Sequence, residues 1–196
     1  MNAATILGSL RELQVMVLSP PCEVTDTLML QLIRIGCSVR NCWPPPKQFD
    51  VAVDVIFTGI FQNRHHEEIS SLVRSSAAGT TVVALVEYES PAVLSQIIEL
   101  ECHGVIILPL DAHRILPALV SARRISGEML RITHRCGQLQ ERLDQQSTIS
   151  RAKLVLMKRH DWGEEQAHAW LSQEAMKQRE SISKVAQDVV RDSNPG

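Results

Sequence analysis

The first 111 residues alternate between short apolar runs and segments with helical spacing. The apolar runs predict five strands, at residues 15–18, 37–42, 50–57, 81–86 and 105–108. Helical periodicity predicts helices between them, at residues 26–35, 65–75 and 91–102. Strands that are apolar throughout are typical of a parallel sheet covered on both faces. The pattern therefore predicts an α/β domain at 1–111, a flavodoxin-like doubly wound parallel five-stranded sheet.

From Ile115 onward the apolar spacing changes to alternating steps of three and four residues, which is typical of a heptad repeat. The repeat comprises Ile115, Ala118, Ala122, Ile125, Met129, Ile132, Cys136, Leu139 and Leu143. A helix with one apolar stripe buries it against a second copy or a neighbour. We predict a coiled-coil dimerisation helix at 112–147, whose contacts run from Ala122 to Leu143. The alternative is an ordinary domain helix of unusual length.

The last part of the chain contains three further segments with helical spacing. They cover Thr148–His160, which continues or restarts the long helix, then Glu164–Gln173 or slightly beyond, and Ser181–Arg191. Ser181 is a plausible N-cap. Because helices of about ten residues are marginal alone, these segments must pack on one another. They predict a small all-α three-helix bundle at 148–196.

Charge is distributed unevenly between the two halves of the chain. Residues 1–130 carry 9 Lys and Arg against 13 Asp and Glu, a net of −4, whereas residues 131–196 carry 11 against 9, a net of +2. Any contact with a polyanion is therefore expected in the C-terminal part. The chain has five cysteines without a C-x-x-C pair, which predicts free thiols and a cytoplasmic location. No signal pattern or membrane span is expected.

The C-terminal helices carry a motif of small and apolar residues, with one lysine. It consists of Ala152, Lys153, Leu156 and Met157, then Ala167, Leu171, Ala175 and Met176, then Ala186, Val189 and Val190. This pattern resembles the ANTAR domain, a three-helix module that binds leader RNA and blocks transcription termination. The family usually has Gly after the Ala-Lys pair, whereas this chain has Leu154. Leu favours a helix over Gly by nearly 1 kcal/mol, so the change should stiffen the helix.

The N-terminal domain resembles a response-regulator receiver, but the residues that receivers use for phosphorylation are missing. Receivers hold Mg²⁺ through paired acids after the first strand, where this chain has Ser19-Pro20. After strand 4 the chain has Glu87 in place of the Ser or Thr of a receiver, and after strand 5 it has Leu108 in place of the Lys, with only the following Pro109 retained. Asp54 marks a vestigial phospho-acceptor region or is simply a polar residue at a strand end. The resemblance implies a receiver-like domain without phosphorylation, a pseudo-receiver.

No catalytic or metal-binding motif is apparent, so we expect neither an enzyme nor a cofactor. His65-His66-Glu67-Glu68 supplies metal-ligand residue types, but adjacent helical residues point about 100° apart and no zinc spacing supports them. Acidic residues at a helix start are favoured by the helix dipole, which gives the simpler interpretation.

The candidate RNA-binding residues are basic and aromatic side chains of the C-terminal helices, because single-stranded RNA is bound by cations on phosphates and flat rings under bases. They are Arg151, Lys153, Lys158, Arg159, Trp170, Lys177 and Arg179. The competing interpretation places Trp162 and Trp170 in the bundle core and the charges on a solvated face.

The resemblance covers the whole chain, as pseudo-receiver, coiled coil and ANTAR helices. It implies a homodimer that binds leader mRNA and prevents a rho-independent terminator from forming. It also implies silencing by an amide-sensing partner of periplasmic-binding-protein type. The alternatives are a DNA-binding response-regulator-like transcription factor and a pure scaffold. Against the former, no C-terminal helix has the Arg, Asn and Gln of a recognition helix at its start.

Overall fold

The structure is a computed structural model that describes residues 10–60 and 65–193. It divides into two compact units, Met1–Arg131 and Ile132–Gly196.

The first unit is built on a five-stranded parallel sheet. Its strands are β1 (Gln14–Leu18), β2 (Ser38–Asn41), β3 (Val55–Gly59), β4 (Thr81–Val86) and β5 (Gly104–Ile107), in the order β2-β1-β3-β4-β5. Every neighbouring pair is parallel, and the register pairs Val15 with Val55 and Thr58 with Ala84. β3 and β4 are buried along their whole length, as expected for strands covered on both faces. The predicted α/β doubly wound fold is confirmed.

Helices cover both faces of this sheet. They are α1 (Glu23–Ile35), α2 (His66–Ser75) and α3 (Pro91–Glu99), followed by the start of the long helix α4 (Ala112–His160). Alternate residues of a strand point to opposite faces, so the sheet divides its side chains between two cores. One core joins Val15, Val17 and Phe57 to α1 and α4, and the other joins Met16 and Ile56 to α2 and α3.

Several predicted boundaries were wrong, and α1 begins at Glu23, three residues before its predicted start. β3 begins at Val55 rather than at Asp50, and Asp54 precedes the strand beside the starts of β1 and β4. The Asp54 carboxylate accepts a hydrogen bond from Gln14 N at 2.9 Å, and its carbonyl accepts one from Thr81 N at 2.8 Å. Helix α3 ends at Glu99, three residues before the predicted end, and Glu101 adopts a left-handed conformation with φ 49°.

The first turns of α4 belong to the core of the first unit. Ile115, Leu119 and Ala122 are completely buried there. A Cβ on Gly104 would lie 3.0 Å from the Cβ of Ala122, so helix and strand are in close contact. The heptad repeat in the sequence predicts Ala122 as part of the dimer seam. This assignment is corrected, because a side chain that is 0% exposed inside a domain is unavailable to a second copy.

Further polar contacts join α4 to the amino edge of the sheet. Arg123 Nη1 donates to Thr81 Oγ1 at 3.2 Å and lies 3.4 Å from the carbonyl oxygen of Asp54. Ser126 Oγ donates to the carbonyl of Gly79 at 3.1 Å. These contacts satisfy polar groups at strand starts, so the receiver-like domain extends into α4 well beyond residue 111.

Beyond these contacts, α4 leaves the remaining heptad positions in solvent. Its apolar side chains between Ile125 and Leu143 are roughly half exposed or more, and Cys136 is exposed. These residues are Ile125, Met129, Ile132, Cys136, Leu139 and Leu143. The helix itself is unbroken to His160, so the segment from Thr148 continues the long helix instead of restarting it.

The second unit packs the end of α4 against α5 (Glu164–Gln178) and α6 (Ile182–Asp192). Its core contains Ala152, Leu156, Ala167, Leu171, Ala175, Val185, Ala186 and Val189. The alanines at these positions are small and nearly completely buried, which lets the short helices approach closely. Ser181 accepts a hydrogen bond from Lys184 N at 3.2 Å, which confirms it as the N-cap of α6.

The position of Ala122 leads to a prediction that separates core from seam. Changing Ala122 to Leu should destabilise the protein by about 1–3 kcal/mol, because the added methyl groups overpack the contact with Gly104. Thermal unfolding measures the effect. The matched control is Cys136→Leu on the exposed part of the same helix, which should leave the melting temperature unchanged or raise it. Equal stability of the two variants would place Ala122 outside the core.

Candidate nucleic-acid interface

The carboxyl edge of the sheet, where a receiver is phosphorylated, lacks the acidic residues of that site. Gly59 ends β3 at the level of the phospho-acceptor, and the buried Ser19 follows β1. The Ser19 hydroxyl accepts a hydrogen bond from Thr25 at 3.1 Å. No group of three or more possible metal ligands occurs among the described residues. The positions that carry the paired acids and the phospho-acceptor of a receiver therefore offer Mg²⁺ no carboxylate ligand.

Asp54 lies at the opposite, amino-terminal edge of the sheet, because it precedes β3 instead of ending it. Parallel strands share one carboxyl edge, so a residue before a strand cannot occupy the acceptor position. Asp54 is therefore corrected from a vestigial phospho-acceptor to a strand-start residue that satisfies Gln14 N and Thr81 N.

The two histidines at the start of α2 each form a hydrogen bond with a glutamate. His66 Nε2 lies 2.9 Å from Glu99 Oε2, and His65 Nδ1 lies 2.6 Å from Glu68 Oε2. The hydrogen bond from His66 lowers the pKa of Glu99. These contacts join α2 to α3 and stabilise the helix start.

In the second unit, Lys153 is held by an ion pair within the bundle. Its Nζ lies 2.5 Å from Glu164 Oε1, and its side chain is only 19% exposed. Glu164 is the first residue of α5, where the helix dipole favours a negative charge. The hydrogen bond from Lys153 lowers the pKa of Glu164. Lys153 therefore connects α4 to the start of α5, and its charge is largely used inside the domain.

The other candidate cations differ in how free they are. Lys177 pairs with Glu174 at 3.3 Å, while Arg179 ends α5 in a left-handed conformation with φ 56°. Arg151, Lys158 and Arg159 are exposed on α4, and no salt bridge or hydrogen bond engages their side chains within residues 10–60 and 65–193. On a helix with 3.6 residues per turn, Arg151 and Lys158 lie about 20° apart. The structure thus places these two cations side by side on the outer face of α4.

Three aromatic rings cluster in the same unit. His160 stacks on Trp162 with ring centroids 4.5 Å apart, and Trp162 lies 6.4 Å from Trp170. Both tryptophans are half-buried and pack against the bundle core. Each tryptophan ring therefore packs against the core with one part and leaves another part exposed.

Three features of this unit were not anticipated from the sequence. The Lys153–Glu164 pair spans eleven residues and a turn, so no local spacing announces it. Leu154 is 56% exposed and Met176 is 79% exposed, although both belong to or adjoin the motif. For Leu154 a signal was available: it is offset by two residues from both Ala152 and Leu156, which places it opposite the buried stripe.

Comparison with known proteins identifies both parts of the chain. Residues 13–123 match the family described as AmiR, N-terminal, and residues 137–190 match the ANTAR domain. The aliphatic amidase regulator of Pseudomonas aeruginosa PAO1 is 66% identical over 190 residues, which cover 97% of each chain. The chain belongs to the AmiR family of ANTAR-domain regulators. It is a transcription antitermination regulator and not an enzyme.

Solved structures support the fold of the AmiR-type N-terminal domain. A CheY-like receiver domain protein from Methanospirillum hungatei JF-1 aligns with a TM-score of 0.51 at 10% identity, covering 60% of this chain and 98% of that one. A fusion protein that carries the trimeric coiled coil of yeast Spc42 aligns with a TM-score of 0.51 at 14% identity, covering 67% and 94%. At these identities the likeness concerns the fold alone. None of the described helices is long and apolar enough to cross a membrane.

Phosphodonors should leave this AmiR-family protein unmodified, because Gly59 and Ser19 replace the acids of a receiver. The measurement is the intact mass after incubation with acetyl phosphate and Mg²⁺. A working receiver domain serves as the positive control. A stoichiometric gain of one phosphoryl group would contradict the pseudo-receiver assignment.

The ion pair of Lys153 should appear in the titration of Glu164. The Glu164 carboxyl should titrate below the ordinary glutamate pKa of about 4.3 in the parent protein and return toward it in Lys153→Ala. Because the folded-state pKa is lowered, the pair stabilises the bundle above the unfolded-state pKa and is lost as pH falls through the folded value. Carboxyl NMR measures the change, and Glu165→Gln, next to the pair, is the control. An ordinary pKa for Glu164 in the parent protein would contradict the ion pair with Lys153.

Proposed function

We propose that this protein binds leader mRNA as a homodimer and prevents a rho-independent terminator from forming. We further propose that a ligand-sensing protein of periplasmic-binding-protein type, which responds to amides, holds it silent. The observation that carries the proposal is the ANTAR match together with unpaired cations on the outer face of the bundle. The link to amides rests on the name of the relative, an aliphatic amidase regulator.

The outer face of α4 is the best candidate for the first RNA contact. Arg151 and Lys158 extend from one helix face, and the buried stripe of Ala152 and Leu156 holds that face away from the core. Free cations can exchange their counterions for phosphates, which supplies most of the affinity in such complexes. Arg159 lies on the adjacent side and can widen the surface.

The remaining candidate residues suit a second set of contacts. Arg179 is fixed at the end of α5, and Lys177 would have to exchange Glu174 for a phosphate. The half-buried Trp170 can offer only its exposed edge to a base, since its other side packs on the core. We assign Lys153 chiefly to holding α5, with any effect on RNA following from its pair with Glu164.

The exposed stripe of α4 supports a homodimer. Ile125, Met129, Ile132, Leu139 and Leu143 are between 46% and 61% exposed. Monomeric soluble proteins rarely leave a continuous apolar stripe of this kind in water. A second copy of the helix would cover it through heptad packing.

The pseudo-receiver supports control by a protein partner. A domain that cannot hold an aspartyl phosphate needs another input, and family membership suggests a ligand-sensing protein. The rival function, a DNA-binding response-regulator-like factor, would require a recognition helix. The first turn of α6 has one cation, Lys184, and lacks the Arg, Asn and Gln that read bases in the major groove.

Changing Arg151 to Ala should weaken binding to leader RNA. The slope of log affinity against log salt should flatten by about 0.7–0.9, as for one lost phosphate contact, while the melting temperature stays unchanged. Filter binding over a salt series measures this. Arg124→Ala is the matched control, because Arg124 is exposed on the same helix and lies outside the heptad stripe.

The same assay separates the competing functions. Lys153→Ala should lower the melting temperature, whereas the slope of log affinity against log salt should stay close to that of the parent protein. Unchanged binding of Arg151→Ala at every salt concentration would move the RNA surface elsewhere. Equal affinity for duplex DNA of the same sequence would favour the DNA-binding alternative.

Changing Ile132 to Asp should convert the dimer to monomers. Each buried apolar side chain contributes about 1.5–3 kcal/mol, so two copies lose at least about 3 kcal/mol, roughly a hundredfold in Kd. Sedimentation equilibrium measures the change. His134→Asp is the control, since His134 is exposed and lies about 200° round the helix from Ile132. If the protein stays dimeric with Ile132→Asp and becomes monomeric only with a substitution outside α4, the heptad stripe is not the dimer contact.

A further inference from the structure

Leu154 is an exposed apolar residue in a helix segment whose other face forms the bundle core. It is 56% exposed, whereas Ala152 and Leu156 are 0% and 2% exposed. Each of these neighbours is two residues away, about 200° round the helix. Leu154 therefore points directly away from its own domain, and nothing in the bundle requires it to be apolar.

The helical phase of Leu154 places it on the same stripe as the proposed seam. Cys136 precedes it by eighteen residues, which is five full turns, and Leu143 precedes it by eleven residues, about 20° away. Between Leu143 and Leu154 the stripe passes through Ser147 and Ser150, in steps of four, three and four. An extra step of four is a stutter, which locally unwinds a coiled coil without ending it.

The charges beside the stripe favour two helices that run parallel. In a parallel pair, Arg135 lies beside Gln140 of the second copy and Arg142 beside Ser147, so no like charges meet. In an antiparallel pair, Arg135 faces Arg142 or Arg135 of the second copy. Like charges at flanking positions are unfavourable, so the parallel arrangement fits better.

We infer that the seam continues through this stutter and that Leu154 packs against Leu154 of a second copy. The inference rests on the proposed homodimer and extends its interface into the helical domain. Arg151 and Lys158 lie three residues before and four residues after Leu154. Pairing at Leu154 brings these cations of both copies onto one surface, where RNA phosphates would offset their mutual repulsion, so the RNA surface is complete only in the dimer.

Cysteine cross-linking tests the extension directly. In full-length protein with Cys22→Ser and Cys136→Ser, Ser150→Cys adds a thiol on the stripe, and Gln145→Cys adds one about 140° away. A disulfide requires Cα atoms within about 4.4–6.8 Å, so only facing residues cross-link rapidly. Copper-phenanthroline oxidation should convert Ser150→Cys, but not Gln145→Cys, to covalent dimer on non-reducing gels.

The native Cys136 reports the seam independently. In Cys22→Ser protein it should cross-link as readily as Ser150→Cys. Cross-linking at Cys136 with Ser150→Cys as slow as Gln145→Cys would overturn the extension alone. Slow cross-linking at both positions would instead refute the proposed dimer.

A second variant tests Leu154 itself. Leu154→Lys replaces one good helix former by another at an exposed position, so folding is preserved. The dimer Kd should nevertheless rise at least tenfold, because two ammonium groups would face each other beside the cations of both copies. An unchanged Kd would show that Leu154 is only a solvated side chain or contacts another molecule. The oxidised Ser150→Cys dimer should bind RNA at least as tightly as the reduced protein; a loss of binding would overturn the shared surface.

Discussion

Helix α4 supplies side chains to two separate hydrophobic cores, and the rest of the structure depends on how it does so. Ile115, Leu119 and Ala122 complete the sheet domain, and Ala152 and Leu156 complete the bundle. Within each unit, helical phase fixes which side chains of its part of α4 the core leaves exposed. The apolar side chains of the heptad repeat from Ile125 to Leu143 are among these, so they remain available to a second copy.

The sheet domain keeps the architecture of a receiver and has lost its chemistry. Gly59, Ser19 and Leu108 stand at the carboxyl edge, where a receiver has its phospho-acceptor, its metal-binding acids and its lysine. Meanwhile the amino edge binds α4 through Arg123 and Ser126. A domain organised in this way suits regulation by an associating protein, whose surface can act on the helix that the domain holds.

The sequence predicted the element order well, because strand burial and helical periodicity are strong local signals. It failed where tertiary contacts determine the strand boundary or the burial of a residue. Asp50–Asp54 looked like strand, yet the Asp54 side chain and carbonyl are used at strand starts. Ala122 fits a heptad and a domain core equally well, and only the proximity of Gly104 shows which applies. The candidate cations were visible in the sequence, whereas the pairing of Lys153 with Glu164, which separates a structural lysine from free arginines, depends on the turn between two helices.

The central claim is that two copies, joined along α4, form one RNA-binding unit. The stoichiometry of the complex tests it most directly. Native mass spectrometry of the full chain with the leader transcript of the operon that it regulates should give two protein chains per RNA, at protein concentrations where the free protein is already dimeric. A stable complex with a single chain per RNA would contradict the account.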